Sequence, residues 1–241
     1  MHKLWTATRF LTRLPVRRTD AEGKADLGAS AVWFPAVGAA IGLFVAGAYN
    51  ALSDVDPWLA ALCAVLVWLG ITGAMHVDGA ADLADALGAR HRRPERFLTV
   101  LHDPHVGTFG VLAVLCIVLT KLISLHALTT HRSTTAALIM LPAWTRLGAV
   151  VWARALPPLT HGYGEALGAG SSVPMNVVWT GALLGAGSLF APSALLVMAP
   201  LLAWWAFLRF RVGGVNGDAI GAGIEWCEAA TLLLMAIWHG I

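Results

Sequence analysis

Residues 57–85 read PWLAALCAVLVWLGITGAMHVDGAADLAD, an uncharged apolar run that leads into a segment with three aspartates. Asp78, Asp82 and Asp85 follow one another at i, i+4 and i+7, so a helix carries all three on one face. Carboxylates at the end of a hydrophobic segment are costly unless they have a partner or a function. The run therefore predicts a membrane helix that ends in a charged site.

The composition of the whole chain indicates an integral membrane protein. The 241 residues are 58% hydrophobic and 12% charged, and their mean hydropathy is +0.71, outside the usual range for a soluble domain. Apolar runs long enough to cross a hydrocarbon core of ~30 Å predict an all-α, polytopic transmembrane bundle of about six or seven spans. Residues 173–207, thinly broken at 191–193, are expected to form a tight helical hairpin. The spans are expected at residues 31–52, 57–75, 107–128, 133–156, 173–190, 193–207 and 219–241.

The charges between these spans predict the orientation, because cytoplasmic loops carry the Lys and Arg excess of a membrane protein. With the N-terminus inside, thirteen of the sixteen Lys and Arg residues fall on the cytoplasmic side. Arg132 falls outside, and Lys121 and Arg146 fall within spans. The segments 76–85, 102–105 and 213–218 then all reach the cytoplasmic face. Without a visible repeat or linker, residues 1–241 are expected to form a single integral membrane catalytic domain.

The first fifteen residues predict a short amphipathic helix at the membrane interface. They lack the apolar core of a cleavable signal peptide. One side of the helix can face lipid, and the basic side can meet headgroups or a phosphorylated substrate. The lipid side comprises Leu4, Trp5, Thr8 and Leu11, and the basic side comprises Lys3, Arg9 and Arg13.

The cysteines and the charge pattern argue against disulfides, a zinc site and a nucleic-acid partner. Cys63, Cys116 and Cys227 are isolated within apolar runs, which argues against disulfides and zinc. The net charge of +2 follows from the charge bias of the loops. No basic patch with interleaved aromatic residues suggests nucleic acid, so no nucleic-acid partner is expected.

The aspartate stripe predicts a metal site. Three like charges on one face repel each other unless a cation lies between them, and a hard divalent cation with oxygen ligands is the simplest candidate. Gly79 allows backbone or ligand to approach the carboxylates closely, and His76 adds an imidazole one turn away. The alternative is an ordinary polar helix end leaving the membrane.

Two loops add basic and imidazole groups on the same predicted face. Residues 90–96, RHRRPER, are basic as expected for a cytoplasmic loop. A guanidinium such as that of Arg96 is also suited to binding phosphate oxygens. Residues 102–110, HDPHVGTFG, place a carboxylate and two imidazoles before the next span. Asp103 is expected either to cap that helix or to act as a metal ligand or general base.

The glycine-rich segment 213–218, GGVNGD, predicts a phosphate-binding loop. Gly213, Gly214, Asn216 and Gly217 lead into a helix N-terminus, where backbone N–H groups and the helix dipole suit an anion. Asp218 opens that helix and adds a fourth carboxylate to the site.

Several charges are expected within the membrane. Glu225 and Glu228 lie two to three turns into the last span, and such acids need partners. Lys121 and Arg146 are the candidate partners. These groups either form structural ion pairs inside the bundle or, for Lys121, Arg146 and Glu225, contribute to substrate binding.

Acids from two helices, a glycine-rich loop and flanking arginines together predict phosphoryl or nucleotidyl transfer. A metal neutralises the bridging phosphate oxygens while a spare carboxylate takes the proton of an attacking alcohol. A cation- or proton-coupled secondary transporter is the rival from another class, but it predicts a midplane site and inverted repeats. A membrane metal-dependent phosphohydrolase using His76 and His102 is the other alternative.

At these residues the chain resembles the cobalamin synthase family, adenosylcobinamide-GDP ribazoletransferase. The likeness runs over nearly the whole length and is carried by FLTRLPV at 10–16, HVDGAADLAD at 76–85, DPHVGTFG at 103–110 and GGVNGD at 213–218. The resemblance implies an inner-membrane, Mg²⁺-dependent transferase that joins adenosylcobinamide-GDP to α-ribazole or α-ribazole 5′-phosphate. The products are adenosylcobalamin or its 5′-phosphate and GMP.

The resemblance also implies roles for individual residues. Asn216 stands where the family usually has Thr, and Pro104-His105 replaces the more common Ser-Arg, so His105 is expected to bind phosphate only when protonated. The expected metal ligands are Asp78, Asp82, Asp85 and Asp218. The expected catalytic residues are His76, Asp82, Asp85 and Asp103. The expected substrate-binding residues are Arg13, Gly79, Arg96, His105, Lys121, Arg146, Gly213, Gly214, Asn216, Gly217 and Glu225.

Overall fold

The computed structural model describes residues 2–16, 23–92, 96–128 and 134–240, and these residues form helices and connections without a β-strand. Arg132 lies outside this part of the chain. The helices are α1 His2–Leu11, α2 Lys24–Ser30, α3 Phe34–Ser53, α4 Pro57–Thr72, α5 Met75–Arg92, α6 Phe97–Leu101, α7 Thr108–Ala127, α8 Thr134–Ala155, α9 Tyr163–Gly170, α10 Val173–Phe190, α11 Met198–Phe207 and α12 Gly217–Trp238.

Six helical segments in the described ranges are long and apolar enough to cross a membrane. The prediction of an all-α membrane bundle with six or seven spans is confirmed. The hairpin at 173–207 contains two full spans, because 3₁₀ and π-helical turns extend α11 at both ends. The six segments are Asp26–Ser53, Thr108–Ala127, Thr134–Ala155, Val173–Phe190, Pro192–Val212 and Gly217–Trp238.

The span expected at residues 57–75 is the one that is not among these six segments. Helix α4 is apolar but has only 16 residues, about 24 Å at the helical rise, and it reaches spanning length only together with α5, from which it is bent by 86°. Gly73 (φ +63°) and Ala74 (φ +55°) both adopt the left-handed conformation at this bend. A Cβ on Gly73 would collide with the Arg13 side chain.

Helix α8 lies at the centre of the bundle and is almost entirely buried. It contacts α3 closely because glycines remove side-chain volume: a Cβ on Gly38 or Gly42 would collide with the backbone of α8. The indole rings of Trp144 and Trp152, both on α8, are buried in the bundle. Close helix contact through glycine is the usual way that membrane helices gain packing energy.

The predicted N-terminal helix is present as α1, but Leu11, one of the four residues expected to face lipid, is buried, whereas Leu4, Trp5 and Thr8 are partly exposed. Ala7 and Leu11 are buried against the protein, and the ring of Phe10 stacks on Phe34 with centroids 5.9 Å apart. The expectation for Leu11 was wrong because α1 packs on α2 and α3, which offer the apolar contact that lipid was assumed to provide.

Helices α5 and α12 pack against each other in an antiparallel arrangement. A Cβ on Gly79 would lie 2.9 Å from the Cα of Asp218, and one on Gly221 would lie 3.2 Å from the Cα of His76. As α5 advances from His76 to Gly79, α12 therefore runs backwards from Gly221 to Asp218. Two glycines thus bring the aspartate helix against the beginning of the last helix.

Candidate functional site

Four carboxylates from α5 and α12 form an acid cluster, which we define as Asp78, Asp82, Asp85 and Asp218. Asp82 interacts electrostatically with the other three and with His102. Asp78 is exposed, whereas Asp82 and Asp218 are half-buried. Because α5 is continuous through Gly79, its three aspartates are held in the register that the sequence spacing predicts. The cluster carries an excess of negative charge.

Asp218 is oriented by the residue that begins its helix. The side-chain oxygen of Asn216 accepts a hydrogen bond from the backbone N–H of Ala219 (2.9 Å), which makes Asn216 the N-cap of α12. Its Nδ2 donates to Oδ2 of Asp218 at 2.9 Å. The side chain of Asn216 therefore both accepts a backbone N–H at the start of α12 and orients the carboxylate of Asp218.

Asp85 has a structural partner that the sequence analysis did not anticipate. Its carboxylate oxygens accept hydrogen bonds from the backbone N–H of Gly107 (2.7 Å) and from that of Gly110 (3.0 Å). These are unpaired donors at the start of α7. Asp85 thus caps α7 from the neighbouring helix, and of the two alternatives for Asp103 the one in which it caps α7 was wrong.

Asp103 is exposed in the connection before α7 and binds the residue two positions later. Its Oδ1 lies 2.8 Å from the ring Nδ1 of His105 and accepts the backbone N–H of His105 at 3.0 Å. The hydrogen bond from the His105 ring lowers the pKa of the Asp103 carboxyl below its ordinary value. Arg96 is exposed nearby and acts on Asp103 in the same direction.

The glycine-rich loop is fixed by backbone pairing with residues 157–159. The N–H of Val215 donates to the carbonyl of Pro157 (2.9 Å), and the N–H of Leu159 donates to the carbonyl of Val215 (2.9 Å). Gly213 adopts a left-handed φ of +94°, and a Cβ on Gly214 would lie 2.6 Å from the Pro157 oxygen. The loop is therefore rigidly placed beside Asp218.

A second set of charges lies in the interior of the bundle; we call Lys121, Arg146, Glu225 and Glu228 the interior network. Nζ of Lys121 donates to Oε2 of Glu225 and to Oε2 of Glu228, both at 2.7 Å. Arg146 pairs with Oε1 of Glu228. All four side chains are at most 4% exposed. Two cations thus balance two anions.

The contacts of the interior network are those of structural ion pairs, one of the two roles that the sequence left open. Glu228 also accepts a hydrogen bond from the hydroxyl of Thr145 (3.0 Å), and the Lys121 ammonium lies 4.2 Å from the centroid of the Trp68 ring. The substrate-binding roles suggested for Lys121, Arg146 and Glu225 stay predictions. In the structure these side chains bind one another within the bundle.

His76 connects the interior network to a cavity beside the acid cluster. Nη2 of Arg146 lies 3.4 Å from Nδ1 of the buried His76 ring. With the guanidinium as donor, Nδ1 accepts and the hydrogen of a neutral ring is on Nε2. His76 and Asp218 both line the cavity, which extends between α1, α2, α3, α5, α8, α9 and α12.

Comparison with known proteins places the chain in a family. The family model described as CobS, cobalamin-5-phosphate synthase, matches residues 3–236. The chain belongs to the cobalamin-5-phosphate synthase family. The resemblance noted from the motifs is thereby confirmed, and the match favours neither the transporter nor the phosphohydrolase alternative.

Curated relatives extend over almost the whole chain. The adenosylcobinamide-GDP ribazoletransferase of Thiobacillus denitrificans is 44% identical over 98% of this chain and 96% of the relative. The protein of the same name from Novosphingobium aromaticivorans is 46% identical over 96% of this chain and 94% of its own length. That from Laribacter hongkongensis is 43% identical over 98% and 97%, respectively. No solved structure matches the chain.

For this member of the cobalamin-5-phosphate synthase family, the acid cluster has donors of the kind that Mg²⁺ binds, namely carboxylate oxygens. Among the described residues, no three His, Cys, Asp or Glu side chains converge closely enough to hold a metal by themselves. Mg²⁺ in phosphate-transferring sites commonly takes one or two carboxylates and completes its shell with substrate phosphates and water. The exposed and half-buried oxygens of Asp78, Asp82 and Asp218 fit that mode of binding.

Three residues near the site were not among the catalytic, metal-binding or substrate-binding residues expected from the sequence. His102 interacts with both Asp82 and Asp218, while Arg9 and Tyr163 line the cavity. The sequence offered a signal for His102, which lies in a polar loop next to Asp103, and for Arg9, which lies on the basic side of α1. Tyr163 reaches the site because α9 begins beside Asn216 and Gly217 at the start of α12, a contact that no local pattern reveals.

Proposed function

We propose that the chain is an adenosylcobinamide-GDP ribazoletransferase, a phosphotransferase of cobalamin biosynthesis. The observation that carries the proposal is the cluster of partly exposed carboxylates from α5 and α12 in a chain that matches this family over nearly its full length. The relatives bearing this name also match almost end to end. The proposed substrates are adenosylcobinamide-GDP and α-ribazole or its 5′-phosphate.

We propose Mg²⁺ as the cofactor, held by Asp78, Asp82 and Asp218. When bound, it would neutralise charge on the pyrophosphate oxygens of the nucleotide. The partly exposed positions of these aspartates leave room for phosphate oxygens. Asn216 orients Asp218, and Asp85 joins α5 to the start of α7. Asp85 therefore supports the site through the fold, although the sequence had suggested it as a ligand.

The chemical step transfers the phosphate attached to cobinamide. The ribazole hydroxyl oxygen forms a bond to that phosphorus, and its proton passes to a carboxylate of the acid cluster, which acts as general base. The bond from the same phosphorus to the bridging oxygen breaks. GMP leaves with the bridging oxygen and the bonding electron pair.

Exposed basic groups around the cluster are proposed to hold the phosphates. Arg96 precedes α6, and His105 lies in the connection before α7; both are exposed. Arg13 lies at the α4–α5 bend, where its N–H donates to the carbonyl of Ile71 at 2.7 Å. Guanidinium groups suit phosphate oxygens because their donors form a planar fork.

We propose that the protein resides in the inner membrane with its N-terminus and active site on the cytoplasmic side. The distribution of Lys and Arg supports this orientation. It would place the exposed part of the acid cluster in contact with the compartment that supplies a soluble nucleotide substrate.

The proposal is tested by incubating the purified protein with adenosylcobinamide-GDP, α-ribazole and Mg²⁺ and analysing the products by mass spectrometry. Equal amounts of adenosylcobalamin and GMP are expected. Release of guanosine nucleotide without a cobalamin product would indicate a phosphohydrolase and overturn the proposal, and so would the absence of any reaction in protein shown to be folded.

A further inference from the structure

The cavity beside the acid cluster has a volume of about 520 Å³. Its polar end is formed by His76, Gly217 and Asp218, and its other walls come mainly from α1, α2, α3, α8 and α9. Cavities of ~300–1,000 Å³ enclose most of the surface of a drug-sized ligand. The cavity therefore suits a molecule of nucleoside size that reaches Asp218 with one end.

Apart from Thr6 and Arg9 of α1, the remaining walls are mostly aromatic and aliphatic. Phe10 stacks on Phe34 at 5.9 Å and lies 5.7 Å from the ring of Tyr163 in a tilted arrangement. Leu167 and Ile224 add aliphatic surface. Such a lining favours a flat apolar ring system, because aromatic rings gain by stacking and by burial of their faces.

We propose that this cavity is the binding site for the ribazole substrate. The dimethylbenzimidazole ring lies against the aromatic wall, and the ribose hydroxyl groups lie toward Asp218 and His76. The inference rests on the proposed transferase function and assigns one of its two substrates to a place in the fold. The phosphate to be attacked then approaches from the exposed side of the acid cluster, where Asp78 and Asp82 lie.

Two other parts of the substrates fit the cavity less well. The corrin ring with its adenosyl group is several times larger than a nucleoside and exceeds the available volume. Guanine carries amide and amino groups that need hydrogen-bond partners when buried, whereas dimethylbenzimidazole carries two methyl groups. The side chains along the aromatic wall are mostly hydrocarbon, so they match the methylated base.

The chain offers a matched pair of substitutions on α1 to test the proposal. Thr6 lines the cavity, and Thr8, on the same helix, does not. Each hydroxyl binds the carbonyl four residues earlier, that of His2 for Thr6 and that of Leu4 for Thr8. Thr6→Trp therefore introduces an indole at the cavity, while Thr8→Trp makes the same chemical change beside it.

The experiment measures the initial rate of GMP release while each substrate is varied separately. For Thr6→Trp, the KM for α-ribazole is expected to rise at least about tenfold, while the KM for adenosylcobinamide-GDP stays within about twofold. Thr8→Trp should leave both values near those of the wild type. Thermal unfolding of both variants reports whether either one is misfolded.

Tyr163→Ala is a second variant that keeps the test decisive if Thr6→Trp does not fold. Tyr163 is largely exposed at the beginning of α9, so its loss removes one wall of the cavity without opening the core. It too should raise the KM for α-ribazole selectively, and Tyr163→Phe should retain most of the affinity because the ring remains.

The outcomes separate failure of this inference from failure of the proposed function. If wild-type protein makes adenosylcobalamin but folded Thr6→Trp or Tyr163→Ala has an unchanged KM for α-ribazole, the cavity assignment is wrong and the function stands. A selective rise in the KM for adenosylcobinamide-GDP would assign the cavity to the guanosine and overturn the inference. Absence of product from the wild type would overturn the function itself.

Discussion

The acid cluster and the interior network both consist of charged side chains on membrane helices, yet their charge balance is opposite. In the interior network, Lys121 and Arg146 offset Glu225 and Glu228 through direct ion pairs. In the acid cluster, Asp82 faces three further carboxylates. The interior network is buried, whereas the acid cluster is partly open.

This difference indicates a structural role for the interior network and a functional role for the acid cluster. Charges removed from water must be paired and hydrogen-bonded, and the interior network meets that requirement within the protein. Like charges that remain close together and partly exposed are stable when a cation or cationic ligand joins them. We therefore expect substitutions in the interior network to change stability first, and substitutions in the acid cluster to change activity first.

The largest effect is expected for Asp82→Asn. Asp82 is central to the acid cluster, and removing its charge should reduce transfer by about 10³-fold or more, in the range that general acid–base and charge-stabilising groups supply. The rate of GMP release, normalised to folded protein, measures the effect. Because the change relieves repulsion, thermal stability should be kept. Full activity in the variant would exclude Asp82 from the site.

The next effect is a loss of stability in Glu228→Gln. Glu228 pairs with Arg146 and Lys121 and accepts the hydroxyl of Thr145, so its neutralisation leaves buried positive charge unbalanced. Breaking such a pair costs about 3–5 kcal/mol, which thermal unfolding in detergent would detect.

Asp78→Asn is the matched control for that measurement, because it also converts an acid to its amide on a helix. Asp78 is exposed and lies near like charges, so its neutralisation should leave the unfolding temperature unchanged or raise it. Equal destabilisation by Glu228→Gln and Asp78→Asn would contradict the distinction between the two regions.

A smaller effect is expected for Asp85→Asn, which separates capping from metal binding. An amide retains one acceptor oxygen, so one of the two bonds to the α7 backbone is lost at a cost of about 1–2 kcal/mol. The unfolding temperature should fall while the Mg²⁺ concentration needed for half-maximal activity stays unchanged. A large increase in that concentration would make Asp85 a ligand, as its sequence spacing had suggested.

The smallest effect is expected at Asn216. Asn216→Ala removes the cap of α12 and the bond to Asp218 and should lower stability by about 1 kcal/mol. Asn216→Thr keeps a capping oxygen and should recover most of this loss in thermal unfolding. If Asn216→Ala and Asn216→Thr lower the unfolding temperature equally, capping of α12 is not the way in which Asn216 stabilises the protein.

Much of the fold could be predicted because its determinants are local. Apolar run lengths located the spans, and the spacing of Asp78, Asp82 and Asp85 placed them on one helix. The pairing of Lys121 with Glu225 and Glu228 could be anticipated as an alternative, because buried charges of opposite sign need each other.

The remaining features depend on contacts between distant segments. The bend between α4 and α5 involves Gly73, Ala74 and the side chain of Arg13, some sixty residues earlier. Asp85 caps α7 through a connection whose geometry is not encoded in helical periodicity. The cavity arises where seven helices meet, so its lining residues, Tyr163 among them, share no sequence pattern.

The central claim is that the acid cluster works with a divalent cation whereas the interior network is complete without one. Its most direct test is the rate of GMP release as a function of free Mg²⁺ for wild-type protein and Asp82→Asn, each normalised to folded protein. The wild type should lose activity when a chelator removes Mg²⁺ and regain it on readdition, and the variant should stay inactive at every concentration. A wild-type rate unaffected by the chelator, or a variant as active as the wild type, would contradict the claim.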